Sequence, residues 1–389
     1  MSLPALRGHE SERRALARAA RTGQLAGTIL IHGPEGIGKQ RFALWLAQLL
    51  VCKSPTDEPC GRCQPCHMAT RLKHPDIHWF FPLSRPRVSG GAERLGDALE
   101  DARAAQLAAR RENPLTPLDA GETMGIYLAH VQVLRRIASA RPAMGNRKVF
   151  VVGNAEALVP QEASQEAANA LLKLLEEPPA DTSVLLTASD PESLLPTIRS
   201  RLLPVRLRPM DSESVERFLR EEAGAEAPEA ARAARLARGS IGRALAFLPV
   251  DGQPGPLEQY RSAARELLEA ALAPGATQRL AAAHGQAPAG ARGGYVIVLG
   301  FLGDWLRDLA ATAVGADDAI LNTDAGDWLR ALAASHPASG ADIPAAIRAV
   351  DTAAASTQLN LNPQLATASL LRQLAAILGS ERTSRPAAR

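Results

Sequence analysis

The sequence predicts an α/β phosphate-loop core with a mostly parallel sheet and a small zinc module, followed by segments that are helical throughout. A short β-rich run, Thr28–His32, leads into the glycine-rich stretch Gly33–Lys39 (GPEGIGK) and then into a helical stretch. All four cysteines fall between Cys52 and Cys66. Apolar strand-like runs alternate with helical patterns as far as about residue 206. Strand, glycine loop and helix in this order form the local architecture of a phosphate-binding loop, and the alternation indicates a parallel sheet.

The composition fits a globular protein of two or three domains. The chain has 389 residues, of which 46% are hydrophobic and 22% charged. Its net charge of +3 permits contact with nucleic acid without requiring it, and 4% aromatic residues offer few platforms for stacking bases. The first residues lack the apolar stretch of a secretory signal, and no apolar run is long enough for a membrane span. We therefore expect a cytoplasmic protein.

Hydrophobic periodicity assigns the elements of the predicted core in order. The predicted helices are 9–22, 41–50, 127–140 and 165–177, and the predicted strands are 28–32, 78–81, 148–156 and 183–188. The helix that ends at Glu177 stops before Pro178, as helices do before proline. Residues 83–123 differ in composition from their surroundings and are interpreted as an exposed, partly helical insertion. Beyond Pro209 the β signal disappears.

The cysteines have the spacing of a structural metal site. They are Cys52, Cys60, Cys63 and Cys66. Two-residue gaps let a tight turn present successive thiolates to one Zn²⁺, and four thiolates leave no open position for catalysis. Two disulfides are an alternative that a reducing compartment argues against, and a redox CxxC pair would leave two cysteines unexplained. His67 and His74 could compete as ligands, but we expect both to be bystanders.

The phosphate loop departs from an active nucleotide site at three positions. Gly33, Gly36, Gly38 and Lys39 are the candidate cofactor-binding residues. The residue after the lysine is Gln40, where a Ser or Thr hydroxyl normally ligates Mg²⁺. Gly153 and Asn154 occupy the positions of the metal-binding aspartate and the neighbouring acid, and neither is a base.

These departures predict that intrinsic ATP hydrolysis is lost. The loop is then a vestigial turn, or it retains weak nucleotide binding through Lys39 and its backbone N–H groups. Glu156 is a candidate replacement acid, but we expect it to mark a helix start on a solvated surface.

Several motifs together resemble the δ′ subunits of the bacterial DNA polymerase III clamp loader, which belong to the AAA+ family. The cysteine cluster directly follows the phosphate-loop helix, and the run Asn169–Pro179 reads NALLKLLEEPP. Thr197–Arg201 (TIRSR) and Asn360–Leu365 (NLNPQL) also look like this family. The resemblance covers nearly the whole chain apart from residues 83–123.

The resemblance implies a catalytic role for Arg201, with Ser200, at a neighbouring subunit. In such relatives the arginine of a Ser-Arg-Cys motif reaches across an interface to the γ-phosphate of ATP. An arginine supplied in trans is worth about 10³–10⁵ in rate in other systems. Leu202 stands here in place of the cysteine. The alternative is an arginine paired with a surface acid, and Arg199 is a competitor for the same role.

Two further family positions carry over less directly. The region Thr187–Ser189 resembles a nucleotide sensor, although the sequence leaves open which hydroxyl faces a nucleotide. In the second sensor motif, Gly239–Leu245, glycine occupies the arginine position of active subunits, and Arg243 is displaced by one residue. On a helix that displacement turns the side chain by about 100°.

The implied domain organisation has three parts. An AAA+ core (1–206) contains the zinc module (about 52–66) and the insertion (about 83–123). A helical lid (207–250), an all-α collar for oligomerisation (256–380) and a disordered tail (381–389) follow.

The implied function is that of a non-hydrolysing subunit of the DNA polymerase III holoenzyme, a DNA-directed DNA polymerase. Its expected cofactor is structural Zn²⁺, and ATP/Mg²⁺ is not expected to be hydrolysed by this chain. Its expected partners are ATPase and δ subunits in a hetero-oligomeric ring, with the sliding clamp and primed DNA reached through the complex. One rival is an autonomous zinc-containing AAA+ ATPase acting on DNA. A free-standing zinc-dependent DNA-binding module is less well supported, since no dense basic or aromatic patch surrounds the cysteines.

Overall fold

The computed structural model describes most of the chain. The described residues are 2–88, 92–115, 124–158, 166–286, 292–335, 342–357 and 362–379. They form two compact units, the first extending to Leu245 and the second beginning at Ala246. The predicted tail and the first two residues of the NLNPQL run lie outside the described residues.

A five-stranded parallel sheet is the centre of the first unit. Its strands are β1 (Thr28–His32), β2 (Ile77–Phe80), β5 (Lys148–Val152), β6 (Thr182–Ala188) and β7 (Leu203–Arg206), arranged in the order β2-β5-β6-β1-β7. The register places Leu30 beside Leu186, and β1 lies between the central strand β6 and the edge strand β7. The predicted parallel sheet is confirmed, and β7 is an edge strand that the apolar pattern did not indicate.

Helices cover both faces of this sheet. The helices of the first unit, counting one that runs into the second, are α1 (Glu10–Arg21), α2 (Lys39–Val51), α3 (Gln64–Thr70), α4 (Ala92–Glu112), α5 (Leu128–Ala138), α6 (Glu166–Glu176), α7 (Pro196–Arg199), α8 (Ser212–Glu222), α9 (Ala227–Leu236) and α10 (Ile241–Phe247). Because successive strand residues point to opposite faces, Ile29 and Ile31 join the core built with α2, whereas Leu30 joins the core built with α6.

The region predicted as an exposed insertion is partly built into the core. Helix α4 within it confirms the helical part of the prediction, but Leu99 on that helix is fully buried. Arg110 places its guanidinium over the rings of Trp79 and Phe81 at 4.7 and 4.6 Å. The expectation of exposure was therefore wrong for the inner face of this helix, where Leu99 is buried and the arginines cover the aromatic end of β2, whereas its outer face is exposed.

The ends of the same region are joined by a short antiparallel pair. The strands are β3 (Leu83–Ser84) and β4 (Met124–Gly125). Residues 89–91 and 116–123 of the region lie outside the described residues. The pair returns the chain to the core before α5 begins.

The regular elements described in the second unit are helices, apart from an isolated β-bridge between Val250 and Gln253. Its longer helices are α11 (Pro256–Leu272), α12 (Ala276–His284), α13 (Arg292–Ala313), α14 (Gly326–Ser335), α15 (Asp342–Ser356) and α16 (Pro363–Leu378). Arg261 on α11 is buried and forms ion pairs with Glu258 and Asp324 at 2.8 and 2.6 Å. Trp305 donates its indole N–H to the carbonyl of Arg261 at 3.1 Å. This paired charge and the aromatic ring fix α11 against α13.

In the described part of the chain, no helix combines the length and the apolar character needed to cross a bilayer.

Candidate functional site

The glycine loop has the backbone shape that its sequence predicts. Strand β1 ends at His32, and Gly33, Gly36 and Gly38 have φ angles of 147°, 74° and 94°. Such positive φ values are easily accessible only to glycine. Helix α2 then begins at Lys39. Strand, loop and helix are therefore all present, and the three glycines are required by the backbone whether or not a phosphate binds.

Lys39 is turned into the loop instead of out of it. Its side chain is 5% exposed, and its ammonium donates to the carbonyls of Gly33 (2.9 Å) and Pro34 (2.8 Å) and to the hydroxyl of Ser189 (2.9 Å). An ammonium has three donors, and all three have acceptors within the chain. A phosphate would have to displace at least one of them.

The three positions that lack Mg²⁺ ligands meet in a single cluster. The Gln40 amide donates to Asn154 Oδ1 at 3.0 Å and accepts from the Trp79 indole N–H at 3.0 Å. A Cβ at Gly153 would overlap this amide, whose nitrogen would lie 2.8 Å away. The substitutions are therefore physically coupled, because the neutral amide fills the space in which a carboxylate at 153 would stand. Trp79 belongs to this cluster and was predicted only as a strand residue.

The sensor region contributes two hydroxyls with different roles. Thr187 is buried, and its hydroxyl accepts the backbone N–H of Asn154 at 3.0 Å. Ser189 accepts the Lys39 ammonium and therefore faces the loop. The sequence left the choice between these hydroxyls open, and in this structure Ser189 is the one directed toward the phosphate loop.

Glu156 does not lie on the solvated surface that the sequence suggested. It lies in the 3₁₀ turn Ala155–Leu158, which matches the expected helix start. Its Oε1, however, accepts the backbone N–H of Ser189 at 3.1 Å. Its other oxygen, Oε2, is buried without a hydrogen-bond partner. Burial lowers the pKa of the Lys39 ammonium, and the negative charges of Glu156 and Glu35 oppose that shift. A carboxylate therefore offsets the positive charge that would attract a phosphate.

The lid segment is bonded to the apex of the glycine loop. Ser240 donates its hydroxyl to the carbonyl of Glu35 at 3.1 Å, and the N–H of Gly242 donates to the carbonyl of Gly36 at 2.9 Å. A Cβ at Gly242 would lie 2.9 Å from that same carbonyl oxygen. An arginine at this position would force the loop and the lid apart. The glycine at the second sensor position thus has a structural cause, namely this close backbone approach.

Arg201 lies on the surface, in contrast to Lys39. It follows α7, and its side chain is 34% exposed. One guanidinium nitrogen is 2.7 Å from a carboxylate oxygen of Glu176, and the other donates to the carbonyl of Thr197 at 2.7 Å. The backbone of Arg201 is held through its carbonyl, which accepts the Thr28 hydroxyl at 2.7 Å. In the single chain, the arginine is thus paired with a surface acid.

The neighbours of Arg201 have separate partners. Ser200 donates its hydroxyl to the carbonyl of Thr197 at 3.2 Å and lies 3.4 Å from the guanidinium of Arg201. Arg199 forms its own ion pair with Glu192. Leu202, at the position of the expected cysteine, is buried in the core. The structure therefore separates Arg199 and Arg201 into two different ion pairs.

The four predicted zinc ligands converge. The sulfur atoms of Cys52, Cys60, Cys63 and Cys66 all lie within 4.8 Å of one another. Zn–S bonds of about 2.3 Å in a tetrahedron require sulfur separations of about 3.8 Å, so this group could hold a metal such as zinc after a small contraction. Neither His67 nor His74 belongs to the cluster.

Local structure explains how these thiols are positioned. Cys52 follows the last residue of α2, and Cys63 precedes α3, whose helical turn then carries Cys66. Hydrogen bonds from the backbone N–H groups of Arg62 and Cys63 lower the pKa of the Cys60 thiol to about 6. Burial raises the pKa values of Cys52 and Cys66, so a bound cation would displace their protons.

Sequence reasoning missed Trp79, Ser240 and Glu176 as members of these sites. Glu176 was visible only as one letter of the run Asn169–Pro179. Ser240 was predicted only as part of the sensor motif, and Trp79 only as part of a strand, without a role for either side chain. Each matters through a partner far away in the sequence, so local patterns carried no sign of its contacts.

Comparison with known proteins identifies the relatives of this chain. Residues 8–211 match the family model described as DNA polymerase III, delta subunit. A DNA polymerase III subunit delta′ from Haemophilus influenzae is 29% identical over 238 residues, which are 61% of this chain and 58% of that protein. The subunit delta′ of Pseudomonas aeruginosa is 33% identical over 179 residues, 46% of this chain and 42% of the relative.

Relatives named as tau subunits of DNA polymerase III also match. The DNA polymerase III subunit tau of Escherichia coli is 30% identical over 246 residues, 62% of this chain and 31% of that protein. All three alignments span less than two thirds of the relative's length. A solved gamma-subunit-related protein from Thermotoga maritima is 16% identical, covers 92% of this chain and 97% of that chain, and has a TM-score of 0.38.

Proposed function

The chain belongs to the DNA polymerase III delta subunit family, and from this premise we propose that it is a non-hydrolysing δ′-type subunit of a clamp loader. In this role it assembles with ATPase subunits and supplies Arg201 in trans to a neighbour's ATP. ATP binding at that neighbour then organises a ring that loads the sliding clamp onto primed DNA.

The observation that carries this proposal is the amide cluster at the phosphate loop. Gln40, Gly153 and Asn154 provide neither a metal-binding carboxylate nor a general base, and the Gln40 amide fills the space where one would stand. Phosphoryl transfer in phosphate-loop enzymes depends on a Mg²⁺ ion that neutralises developing charge. A chain without these groups must act on ATP held elsewhere, if it acts on ATP at all.

The position of Arg201 supports action in trans. Its guanidinium is on the surface, and its backbone is anchored to β1 through Thr28. An arginine keeps its charge and presents several N–H donors to phosphate oxygens. The pair with Glu176 is solvent-exposed, and such pairs typically contribute only about 0–1 kcal/mol. A neighbour's phosphate can therefore compete for this arginine.

The second unit is proposed as the collar that holds the ring together. Its described regular elements are helices, and α12, α13 and α16 expose Leu280, Val296 and Leu365. These apolar side chains offer contacts to the helices of partner subunits. The relatives named delta′ and tau support ATPase and δ subunits of the polymerase as the partners.

The cysteine cluster is proposed to hold structural Zn²⁺. Four thiolates close the coordination shell, so the ion would stabilise the turn between α2 and α3 and take no part in catalysis. DNA is proposed to be reached through the assembled complex.

ATP hydrolysis tests the proposal directly. The purified chain with Mg²⁺ should not turn over ATP, whereas addition to the tau/gamma-type ATPase subunit of the same organism should raise that subunit's turnover. Arg201→Ala should remove most of this stimulation while leaving assembly intact on gel filtration. Arg199→Ala is the matched control, because it removes a neighbouring guanidinium with a separate partner, and it should retain the stimulation.

Two outcomes would overturn the proposal in different ways. Turnover by the chain alone would favour the autonomous ATPase. Full stimulation by the Arg201 variant, or its loss with Arg199→Ala instead, would reject Arg201 as the residue that acts in trans.

A further inference from the structure

We propose that Glu176 is the intramolecular competitor of the neighbour's γ-phosphate for Arg201. The carboxylate retains Arg201 in the free chain, yields it to a triphosphate, and takes it back when the γ-phosphate is gone. This inference rests on the trans role proposed above and adds a regulating residue to that site.

The geometry makes Glu176 the natural competitor. It is the last residue of α6, directly before the proline pair that ends the helix, and its side chain is 44% exposed. One oxygen lies 2.7 Å from the guanidinium, a charge-assisted contact of ordinary length. Among the described residues, Glu176 is the acid found in an ion pair with Arg201. Release of Arg201 therefore means breaking this pair.

The rest of Arg201 is fixed, so only the tip needs to move. The carbonyl of Arg201 accepts the Thr28 hydroxyl, and Thr28 belongs to β1, which is paired with a strand on each side. The other guanidinium nitrogen is held by the carbonyl of Thr197, which a turned side chain can keep or exchange for water. Motion of the guanidinium away from Glu176 thus requires no change of backbone.

Charge explains why the two anions exclude each other. A carboxylate that stayed on the guanidinium would lie beside the γ-phosphate, and like charges at such distances repel. The γ-phosphate carries more negative charge than one carboxylate and can therefore win the guanidinium. A diphosphate lacks this group, so the pair with Glu176 re-forms after hydrolysis. An exposed pair is weak, which makes this competition reversible.

The test measures the affinity of the chain for its ATPase partner with two nucleotides. Labelled chain is titrated with the tau/gamma-type subunit in Mg²⁺ and either ATPγS or ADP. Glu176→Gln keeps the shape and removes the charge. It should tighten binding in ATPγS by about fivefold, the scale of an exposed ion pair, and leave binding in ADP unchanged. A merely structural role of Glu176 would move both affinities together.

Matched variants make the result specific. Glu177→Gln removes the adjacent exposed carboxylate, for which no ion pair is found in the described structure, and it should behave as wild type. In an Arg201→Ala background, Glu176→Gln should have no effect, because the competitor has nothing left to hold.

The possible results separate this inference from the function beneath it. If Arg201→Ala keeps the full difference between ATPγS and ADP, the trans role itself fails. If Arg201→Ala removes that difference but Glu176→Gln binds as wild type, only the competitor role fails. Weaker binding of Glu176→Gln in ATPγS would mean that Glu176 positions the arginine, and would also overturn the inference.

Discussion

Lys39 and Arg201, the two cations predicted to meet a phosphate, have opposite surroundings. Lys39 is 5% exposed and bonded to three acceptors of its own chain, whereas Arg201 is 34% exposed and shares one surface acid. Both residues are positioned by β1: Lys39 follows this strand and the glycine loop, and the carbonyl of Arg201 accepts the hydroxyl of Thr28 on the strand. A phosphate-loop fold can thus bury the lysine of its own loop and leave an arginine at the surface.

Electrostatics makes the contrast sharper. Lys39 shares its pocket with the carboxylate of Glu156, and burial lowers the pKa of its ammonium. Arg201 and its partner Glu176 are both partly exposed to water. Lys39 is bonded within its own loop, and Arg201 lies at the surface, where the proposed role in trans requires it. The experiments below act on one side of this comparison at a time.

Loss of the zinc cluster should have the largest effect on stability. We expect the effect in the region of Lys39, because one helix connects Lys39 to the first cysteine. Helix α2 runs from Lys39 to Val51, and Cys52 follows it directly. Structural zinc contributes about 10–16 kcal/mol in isolated finger peptides. We expect Cys63→Ser to abolish bound zinc in metal analysis and to expose residues 52–73 to proteolysis.

A control with an exposed neighbour sharpens this prediction. His67 lies outside the cysteine cluster, so His67→Ala should retain zinc and resist proteolysis as wild type. Zinc retained at full occupancy by Cys63→Ser would contradict the four-thiolate site.

Acid should destabilise the core of the first unit through its buried histidines. Burial lowers the pKa of His78 to about 4, with Arg103 and Lys148 adding to the shift, and burial likewise lowers the pKa of His130 to about 4. The unfolded chain binds these protons near pH 6.5, whereas the folded chain binds them near pH 4. Stability should therefore fall as pH falls from about 6.5 to about 4, and level off below.

The magnitude and the test follow from the same linkage. One pKa unit is worth about 1.4 kcal/mol, so each histidine accounts for about 3 kcal/mol. Urea unfolding across this pH range should show the fall, and His78→Phe should reduce it. This variant keeps the stacking on Phe150, which has ring centroids 5.1 Å apart. An unchanged pH dependence in His78→Phe would exclude His78 as a contributor.

Paired substitutions of the two cations should have opposite effects. Lys39→Met leaves two carbonyls and the Ser189 hydroxyl without their donor, which should cost about 1–3 kcal/mol of unfolding free energy. Arg201→Met breaks an exposed pair and should cost about 0–1 kcal/mol. Stimulation of the ATPase partner should survive in Lys39→Met and be lost in Arg201→Met. A larger loss of stability in Arg201→Met than in Lys39→Met, or a loss of stimulation in Lys39→Met alone, would contradict these assignments.

The smallest expected effect is a coupling within the amide cluster. Gly153→Asp must displace the Gln40 amide from Trp79 and Asn154, at a cost of about 1–3 kcal/mol. In a Gln40→Ser background the space is open, so the same substitution should cost about 1 kcal/mol less. Urea unfolding of the four proteins in this cycle measures the coupling. Additive costs would mean that Gln40 does not fill the site of the missing carboxylate.

The amino-acid sequence was enough to predict most of the strands of the sheet, the cysteine cluster and the missing Mg²⁺ ligands. Periodicity placed β1, β2, β5 and β6 within a few residues of their observed bounds, because side-chain alternation is a local property. The spacing of the cysteines predicted a cluster that the fold brings together. Gln40, Gly153 and Asn154 were recognised as departures because each stands at a fixed distance from a local motif.

Which side chains contact each other could be seen only in the folded chain. Gln40 and Asn154 are 114 positions apart, and Lys39 and Ser189 are 150 apart, so no local pattern could reveal these bonds. The burial of Leu99 required the face of the sheet against which α4 packs. The orientation of a buried cation depends on which acceptors the folded chain places around it, since an unpaired buried charge is too costly to persist. The sequence offered both Lys39 and Arg201 as candidate phosphate contacts. The packing of the folded chain turned Lys39 inward and left Arg201 at the surface.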